Sequence, residues 1–391
     1  MQISRRVSEI APSMTLAINA RAQKMRADGI EIFNLSAGEP DFPTPDFIKE
    51  AAKKAIDGNF TRYTPVADIP ELRKAAAGFF LRHYAVEILP ECIIIGAGGK
   101  QCISAFMETT LNPGDEVLIP APYWVSYPDI ARLAGAVPVF VPSSAADGYK
   151  VTPQALREKA TAKTRLLVLN SPNNPTGAVY SESELDAIME WALSNNICVL
   201  SDEIYSQITF PPAVAASAIT WFARYPQMVA VVNGLSKSYA MTGWRVGFTA
   251  ADPEVIRKIA VFQGHTLSNI CSIAQKAGVA ALEGPQGCVA AMRVAFERRR
   301  DLALKIISGW QKAICPAPGG AFYLFVDLSA YYNDKIRNSS EMCAHILEKA
   351  HVASVPGVAF GDDKCARFSY ATDDRTLEQA LLAVGECLKD L

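Results

Sequence analysis

The sequence predicts an α/β fold, in which a mainly parallel β-sheet carries helices on both faces and is followed by a smaller α+β domain. From about residue 46, short apolar runs rich in Val and Ile alternate with amphipathic stretches. Such alternation is typical of parallel sheets whose strands are connected by helices. The pattern changes after about residue 285, where a long basic stretch is followed by shorter, more widely spaced apolar runs.

Six apolar runs are the predicted strands of the sheet, and each is bounded by Gly, Pro, Asn or Asp. They are CIIIGAG (92–98), EVLIPAP (116–122), VPVFVP (137–142), RLLVLNSP (165–172), ICVLSDEIY (197–205) and MVAVVNG (228–234). Amphipathic stretches such as SESELDAIMEWALSNN (181–196) are the predicted helices between them.

The C-terminal part predicts an α+β unit with antiparallel strands. A long basic helix (289–313) leads to GGAFYLFVDL (319–328), to a helix near 339–350, to the short runs VASVPG and ARFSYAT, and to a final helix. Residues 1–45 are too few to form a domain of their own. We therefore predict a large domain over 46–285, and a small domain made of 286–391 together with 1–45, which includes an N-terminal arm.

Composition excludes several classes of protein. The 391 residues carry a formal net charge of −2, without the basic excess of a nucleic-acid or anionic-membrane surface. The sequence contains no apolar run of the roughly 18 residues that a membrane span requires, and the N-terminus lacks a secretory signal. Nine scattered cysteines without a CxxC pair, and four histidines without ligand spacing, predict a reducing compartment, the cytoplasm, and no metal site.

Polar residues follow the predicted strands, and in open α/β sheets ligands bind beyond the carboxyl ends of the strands. The turn Gly98-Gly99-Lys100 follows the first strand and opens a helix, so its backbone N–H groups can face an anion. Taken alone, it also fits an ordinary strand-to-helix turn. It matches neither the GxGxxG nor the Walker pattern.

Two further motifs have structural alternatives. In SDEIY, Asp202 ends an apolar run and requires a cationic partner to stay charged, although a helix cap or a structural ion pair would also explain it. In NSPNNPTG, prolines and asparagines predict a rigid turn with exposed amides.

The stretch NGLSKSYAMTGWRVGF (233–248) places Lys237 and Arg245 among small and aromatic residues. A lysine amine becomes nucleophilic when desolvation or a neighbouring cation lowers its pKa. A lysine for a Schiff base, an aspartate for a pyridinium nitrogen, and a Gly-rich turn with an arginine for a phosphate together describe a pyridoxal 5'-phosphate site.

These motifs carry a resemblance to a known family. GLSKSYAMTGWRVG resembles the lysine signature of class I pyridoxal-phosphate-dependent aminotransferases. NLSAGEPDFPTP, YTPVADIPELRKA, PAPYWVSYPD, NSPNNPTGAVY, SDEIY, GGAFYLF and RFSYAT occur in the family order along nearly the whole chain. Within the family, the sequence is most similar to bacterial aspartate aminotransferases of the branch that includes prephenate-active members. The resemblance implies the fold type I architecture, with a seven-stranded sheet in the large domain, and a homodimer with shared active sites.

The resemblance also implies residue roles. Lys237 would hold the cofactor covalently and then act as general base, while Asp202 would pair with the ring nitrogen. Tyr205 and Asn174 would bond the phenolic oxygen, and Trp124 would stack on the ring. The phosphate would be surrounded by Gly98, Gly99, Lys100, Ser236, Arg245 and, from a neighbouring subunit, Tyr63. Substrate would contact Gly38, Trp124, Asn174, Arg367, Lys100, Ser13 and Thr15.

The implied activity is ping-pong transfer of the amino group of L-aspartate to 2-oxoglutarate. Arg367 would grip the α-carboxylate, while Lys100 would contact the distal carboxylate or serve only as a phosphate counter-ion. An aromatic or prephenate aminotransferase, or a lyase on the same fold, is the alternative. We expect no nucleic-acid or membrane partner.

Three positions depart from the family pattern. Ala11 replaces a lysine of prephenate-active relatives and weakens that interpretation. Asp68 replaces a glycine and adds charge near the presumed subunit contact. Gly234 replaces a phosphate-binding hydroxyl, so the phosphate would depend more on Arg245 and Ser236.

Overall fold

The computed structural model describes residues 1, 3–8, 10 and 14–391. The chain begins with helices α1 (Arg5–Ser8) and α2 (Met14–Ala27) and a two-residue strand, β1 (Phe33–Asn34). Helices α3 (Asp46–Asp57) and α4 (Pro70–Tyr84) lead into the main sheet.

Seven strands form the main sheet. They are β2 (Ile93–Gly96), β3 (Glu116–Ala121), β4 (Val137–Pro142), β5 (Thr164–Asn170), β6 (Cys198–Asp202), β7 (Val229–Gly234) and β8 (Gly247–Ala250). Their order is β2-β8-β7-β6-β5-β3-β4, and only β8 runs antiparallel to its neighbours. The six predicted strands are confirmed. The sequence analysis missed β8, whose four residues begin within the lysine and arginine stretch 233–248 and contain no longer apolar run.

Helices connect the strands and cover both faces of the sheet. They are α5 (Gly99–Thr110), α6 (Tyr127–Leu133), α7 (Pro153–Lys159), α8 (Glu182–Ser194), α9 (Ile219–Phe222), α10 (Pro253–Thr266) and α11 (Ser272–Glu283). Helix α8 begins with a capping box, in which Ser181 accepts from the Glu184 N–H and the Glu184 carboxylate accepts from the Ser181 N–H. Two apolar cores, one on each face, explain why the central strands are continuously buried, whereas the edge strand β4 is largely exposed. The predicted α/β class is therefore confirmed.

The C-terminal part contains helix α12 (Gly287–Ile307), strand β9 (Tyr323–Asp327), helix α13 (Ser339–Ala350), strands β10 (Val352–Ala353), β11 (Val355–Pro356) and β12 (Cys365–Ser369), and helix α14 (Asp374–Lys389). Strands β11, β12 and β9 form an antiparallel sheet, as predicted, while β10 pairs with β1.

The apolar core of the C-terminal part includes Leu35 from the N-terminal part, together with Tyr205 and Phe210, which follow β6. The C-terminal core thus also contains side chains from the predicted large domain. The domain boundaries at 45 and 285 stay a prediction. No helix in the described part of the chain has the length and apolar composition of a membrane span.

Candidate active site

The carboxyl ends of β5, β6 and β7 open into a cavity of about 430 Å³. One side of this cavity is formed by residues that follow strands of the main sheet, and the other by residues 36–38, Tyr323 and Arg367. Its lining consists of Ser36, Ala37, Gly38, Gly99, Lys100, Trp124, Val125, Tyr127, Asn170, Asn174, Asp202, Ile204, Tyr205, Ser236, Lys237, Thr242, Arg245, Tyr323 and Arg367. Most of the residues predicted from the sequence therefore lie around one space.

Asp202 is the last residue of β6 and is 5% exposed. Its Oδ2 accepts a hydrogen bond from the Tyr127 hydroxyl at 2.6 Å, and its Oδ1 accepts from the Ile204 N–H at 3.2 Å. Burial raises the pKa of Asp202 to about 6, although these hydrogen bonds and the charge of Lys237 oppose the rise. Among the described residues no cation forms an ion pair with Asp202, so its carboxylate can accept a cationic group from a ligand.

Lys237 follows β7, is partly buried and points into the cavity. Its Nζ donates a 2.6 Å hydrogen bond to the carbonyl oxygen of Gly38. Burial lowers the pKa of Lys237 to about 8, Glu39 raises it, and Arg245 and Arg367 lower it further. An amine with this pKa is partly neutral near physiological pH and can act as a nucleophile or a base.

Arg245 adopts a left-handed backbone conformation (φ 57°) and directs its guanidinium toward the Gly-rich turn. Its Nη1 donates to the Thr242 carbonyl at 3.0 Å and its Nη2 donates to the Ala97 carbonyl at 3.1 Å. Gly98 caps the start of α5 with φ 83°, and a Cβ there would lie 2.6 Å from Nη2 of Arg245. The N-terminus of a twelve-residue helix and a guanidinium together favour an anion.

Gly234 and Gly247 face each other in the pairing of β7 with β8. A Cβ on Gly234 would lie 3.0 Å from the Cα of Gly247, and a Cβ on Gly247 would lie 2.6 Å from the backbone carbon of Gly98. These close approaches bring the Gly-rich turn down onto β8. Glycine at residue 234 is thus explained by packing, while Ser236 lines the cavity.

Lys100 and Trp124 stand next to each other in the cavity, with the lysine Nζ 5.1 Å from the centre of the indole ring. Burial and the charge of Arg245 lower the pKa of Lys100. The Trp124 ring meets the Tyr127 ring edge-on, with centroids 5.2 Å apart. A flat apolar surface with an ammonium beside it suits an aromatic ligand that carries negative charge.

Arg367 lies in β12 and is 3% exposed. Its Nη1 donates to Oδ1 of Asn174 at 2.9 Å and its Nη2 donates to the Ser36 carbonyl at 2.9 Å. The guanidinium also lies 4.4 Å from the Tyr323 ring centre and 4.9 Å from that of Phe360.

Within the described part of the chain, Nε of Arg367 has no hydrogen-bond partner and no carboxylate forms an ion pair with this guanidinium. A buried cation held only by neutral groups is arranged to bind a ligand carboxylate.

Among the lining residues that the sequence analysis missed, three form hydrogen bonds with predicted site residues. Tyr127 hydrogen-bonds Asp202, Asn170 donates to the Asp202 carbonyl at 2.9 Å, and Tyr323 contacts the Tyr205 hydroxyl at 2.8 Å. All three lie inside or beside motifs that were recognised, namely PAPYWVSYPD, NSPNNPTG and GGAFYLF. Their proximity to the site depends on side-chain direction, which the motifs alone did not reveal.

Two predicted site residues of the described part, Gly98 and Tyr63, are not among those that line the cavity. Tyr63 is 89% exposed. Ser13 lies outside the described residues, together with Ala11, and the side chain of Thr15 is likewise outside the described part. Asp68, which we expected to add charge near a subunit contact, is a carboxyl group buried at 1% exposure within the fold.

Comparisons with known proteins agree with this geometry. The family model for aminotransferase class I and II matches residues 30–384. A probable aspartate/prephenate aminotransferase of Aquifex aeolicus (strain VF5) is 41% identical over 391 residues, which is 100% of this chain and 99% of that protein. An aspartate aminotransferase of Bacillus sp. (strain YM-2) is 39% identical over 388 residues, which is 99% of each.

A solved structure shows the same fold. The aspartate aminotransferase from Thermus thermophilus with maleate superimposes with a TM-score of 0.93 at 38% identity, covering 99% of this chain and 100% of that one. A family model that spans most of the sequence and relatives of this identity along the full length confirm the resemblance. The chain belongs to the class I and II aminotransferase family.

Proposed function

We propose that this chain is a pyridoxal-phosphate-dependent aminotransferase that moves the amino group of L-aspartate to 2-oxoglutarate, giving oxaloacetate and L-glutamate. One observation carries the proposal. One cavity is lined by a partly neutral lysine together with a buried aspartate and a buried arginine, neither of which has an ion-pair partner among the described residues. The lysine would react with the cofactor's carbonyl group, the aspartate would pair with its ring nitrogen, and the arginine would bind the substrate carboxylate.

The residues present fit pyridoxal phosphate. Asp202 would pair with the protonated ring nitrogen, which would stabilise the carboxylate that burial otherwise disfavours. Tyr205 would donate to the phenolic oxygen. Asn174 has its side-chain oxygen occupied by Arg367, so its Nδ2 is the group that would donate there as well.

The phosphate would lie at the start of α5. There Gly99, Ser236 and Arg245 line the cavity, and the Gly99 N–H, the Ser236 hydroxyl and the Arg245 guanidinium would bind the phosphate beside Gly98. Trp124 would stack on the ring, and Tyr63 of a second subunit would complete the phosphate site. When bound, the cofactor supplies an electron sink that makes the substrate Cα–H acidic.

The protein's own residues then perform three tasks. Lys237 would hold the cofactor through its Nζ, and once the substrate amine has displaced it, this Nζ would take the proton from the substrate Cα. Arg367 binds the α-carboxylate through two parallel N–H···O bonds and thereby fixes the orientation of the Cα–H bond. The Gly38 carbonyl, which holds Nζ at 2.6 Å, lies beside the reacting atoms.

Specificity for aspartate rests on a second cation and on the relatives. Lys100 lies at the cavity and would bind the distal carboxylate, with Ser13 and Thr15 proposed to contribute hydroxyls from the arm. Relatives at about 40% identity over their full length are named for aspartate or aspartate/prephenate. An aromatic or prephenate aminotransferase, or a lyase on this fold, is the competing function, and product analysis separates them.

We also propose a cytoplasmic homodimer with shared active sites. Tyr63 is a large aromatic side chain with 89% of its surface exposed in one chain, and a second subunit would cover it. All nine cysteines are free thiols, which supports a reducing compartment.

The proposal is tested by a half-reaction screen. The yellow holoenzyme is mixed separately with aspartate, glutamate, alanine, phenylalanine, tyrosine and arogenate, and the loss of the visible cofactor absorbance is followed by stopped flow. We expect aspartate and glutamate to react fastest and to leave the matching oxoacids. A faster reaction with phenylalanine or arogenate would reverse the ranking, and release of ammonia would identify a lyase.

A further inference from the structure

Two buried tyrosine hydroxyls meet at the inner wall of the cavity. The hydroxyl oxygens of Tyr205 and Tyr323 lie 2.8 Å apart, and the two side chains are 3% and 0% exposed. Their rings cross edge-to-face, with centroids 5.8 Å apart. Tyr205 follows β6 of the main sheet, whereas Tyr323 is the first residue of β9 in the smaller sheet. The hydrogen bond therefore joins the two sides of the cavity.

Tyr323 has two further contacts at the site. Its ring lies 4.4 Å from the guanidinium carbon of Arg367, within cation–π range. Its hydroxyl also limits residue 38, because a Cβ on Gly38 would lie 3.2 Å from that oxygen. The Tyr323 side chain thus contacts Tyr205, which is assigned to the cofactor's phenolic oxygen, and Arg367, which is assigned to the substrate carboxylate. It also lies against Gly38, whose carbonyl accepts from Lys237.

The number of protons that a phenol can donate determines the direction of the hydrogen bond between Tyr323 and Tyr205. A phenol has one proton to donate and can accept as well. When Tyr205 donates its proton to an oxygen in the cavity, its own oxygen is left to accept, and the hydroxyl within reach is that of Tyr323. A chain of two hydroxyls polarises along its length, so the second makes the first a stronger donor.

We propose that Tyr323 is a positioning residue that donates its hydroxyl proton to Tyr205 and holds the guanidinium plane of Arg367 on its ring. This inference rests on the proposed cofactor chemistry. Its two parts are separable, because the hydroxyl acts on Tyr205 and the ring acts on Arg367. Burial raises the pKa of both tyrosines, so both hydroxyls keep their protons over the working pH range.

The hydroxyl part is tested by a double-mutant cycle on the holoenzyme, with Tyr323→Phe, Tyr205→Phe and the double variant. The readout is the pH midpoint of the visible absorbance change of the bound cofactor. A donor at the phenolic oxygen stabilises its deprotonated form, so a weaker donor raises the midpoint. Tyr323→Phe should raise it by roughly 0.3–1 pH unit, given the usual value of one hydrogen bond. In the Tyr205→Phe background the same change should have no effect.

The ring part is tested with Tyr323→Leu and maleate, a dicarboxylate without an amino group. Tyr323→Leu removes the aromatic ring that lies 4.4 Å from the Arg367 guanidinium, and leaves that of Phe360. It should weaken maleate binding about 10-fold, the size of a desolvated cation–π contact. Tyr323→Phe keeps the ring and should change maleate binding less than about 2-fold. Thermal unfolding of each variant checks that it is folded.

The outcomes separate this inference from the proposed function. If wild-type enzyme binds no cofactor with visible absorbance, the proposed function fails. If it binds cofactor normally but Tyr323→Phe leaves the midpoint unchanged, or shifts it equally in the Tyr205→Phe background, the positioning role of the hydroxyl is wrong. Equal maleate affinity in Tyr323→Leu and wild type would refute the role of the ring.

Discussion

The two sides of the cavity are built in different ways. On the strand-end side, Asp202 ends β6, Lys237 follows β7 and Arg245 precedes the antiparallel β8, all within short local motifs. On the cover side, Arg367 lies within a strand and is held by groups from distant parts of the sequence, namely Asn174 and the Ser36 carbonyl. The residues of the first side come together because parallel strands end at the same side of the sheet. Those of the second side come together through packing between distant parts of the sequence.

Residues 36–44, which we call the cover segment, connect the two sides. On the strand-end side, the Thr44 hydroxyl donates to the Ala240 carbonyl at 2.6 Å, and the Thr242 hydroxyl donates to Glu39 at 2.8 Å. On the opposite side, Asp41 forms a two-pronged ion pair with Arg299 of α12, at 2.8 and 2.9 Å. The position of Gly38 over Lys237 is thus fixed by contacts of its segment with both sides of the cavity.

The largest expected effect comes from removing the reactive group of the strand-end side. Lys237→Ala should lower kcat by at least about 10⁴-fold, because it removes both the covalent anchor and the general base. The variant should remain folded, since the lost side chain faces a cavity. Single-turnover kinetics with aspartate gives the rate, and normal transamination by this variant would overturn the assignment of Lys237.

On the cover side, Arg367→Lys tests two-pronged binding against charge alone. Lysine keeps the positive charge but cannot form two parallel hydrogen bonds to a carboxylate. We expect KM for aspartate to rise roughly 10–100-fold, which corresponds to one charged hydrogen bond. Steady-state kinetics and the dissociation constant of maleate measure the effect. Unchanged values for both would show that the α-carboxylate binds elsewhere.

The connection between the sides is tested at Asp41. Asp41→Asn breaks a pair in which the Arg299 side chain is 6% exposed, and leaves Asp374 as its remaining partner at 3.1 Å. We expect kcat/KM to fall about 10-fold through loss of Gly38 positioning, and the free energy of unfolding to fall by about 1–3 kcal/mol.

Asp46→Asn is the matched control, because its ion pair with Lys49 involves a side chain that is 91% exposed. This control should leave both quantities near wild type. Equal effects of the two substitutions would show that the Asp41 pair has no positioning role.

The smallest effect concerns Asp68, which lies outside both sides. It adopts φ 70°, accepts one hydrogen bond from the Ile270 N–H at 3.2 Å, and has a buried Oδ2 without a partner. Burial raises the pKa of Asp68 to about 8. Because the folded pKa lies above the unfolded value, this carboxyl favours folding most in acid, and its contribution is lost as pH rises through about 8.

Asp68→Gly should therefore raise the free energy of unfolding by about 2 kcal/mol at pH 8, and by less at pH 5. Ala85→Gly is the control, because Ala85 has φ 55° at an exposed helix end and no carboxyl group. Its gain should not change with pH. Urea unfolding at both pH values provides the comparison, and a pH-independent gain in Asp68→Gly would contradict a buried, protonated carboxyl.

The difference between the two sides also explains which strands and site residues could be predicted from the sequence. The six strands and the strand-end residues were predictable because apolar runs with polar ends mark a parallel sheet and its ligand edge. Arg367 was assigned only through family resemblance, since nothing near it in sequence distinguishes it from an ordinary strand residue.

Residues that act through others were not predictable. Tyr127 and Tyr323 become part of the site only through hydroxyl contacts to Asp202 and Tyr205, which lie 75 and 118 residues away in sequence. Strand β8 was missed because its pairing, rather than its composition, makes it a strand. Burial of Asp68 was likewise invisible, because a single acid in a turn motif suggests exposure.

The central claim is that the strand-end side presents one reactive amine to a carbonyl cofactor. Borohydride reduction of the holoenzyme, followed by digestion and mass spectrometry of the peptides, tests it most directly. We expect the mass of the reduced cofactor on the peptide containing Lys237, with none on the peptide containing Lys100. Label on Lys100 instead, or no label on either, would contradict the account.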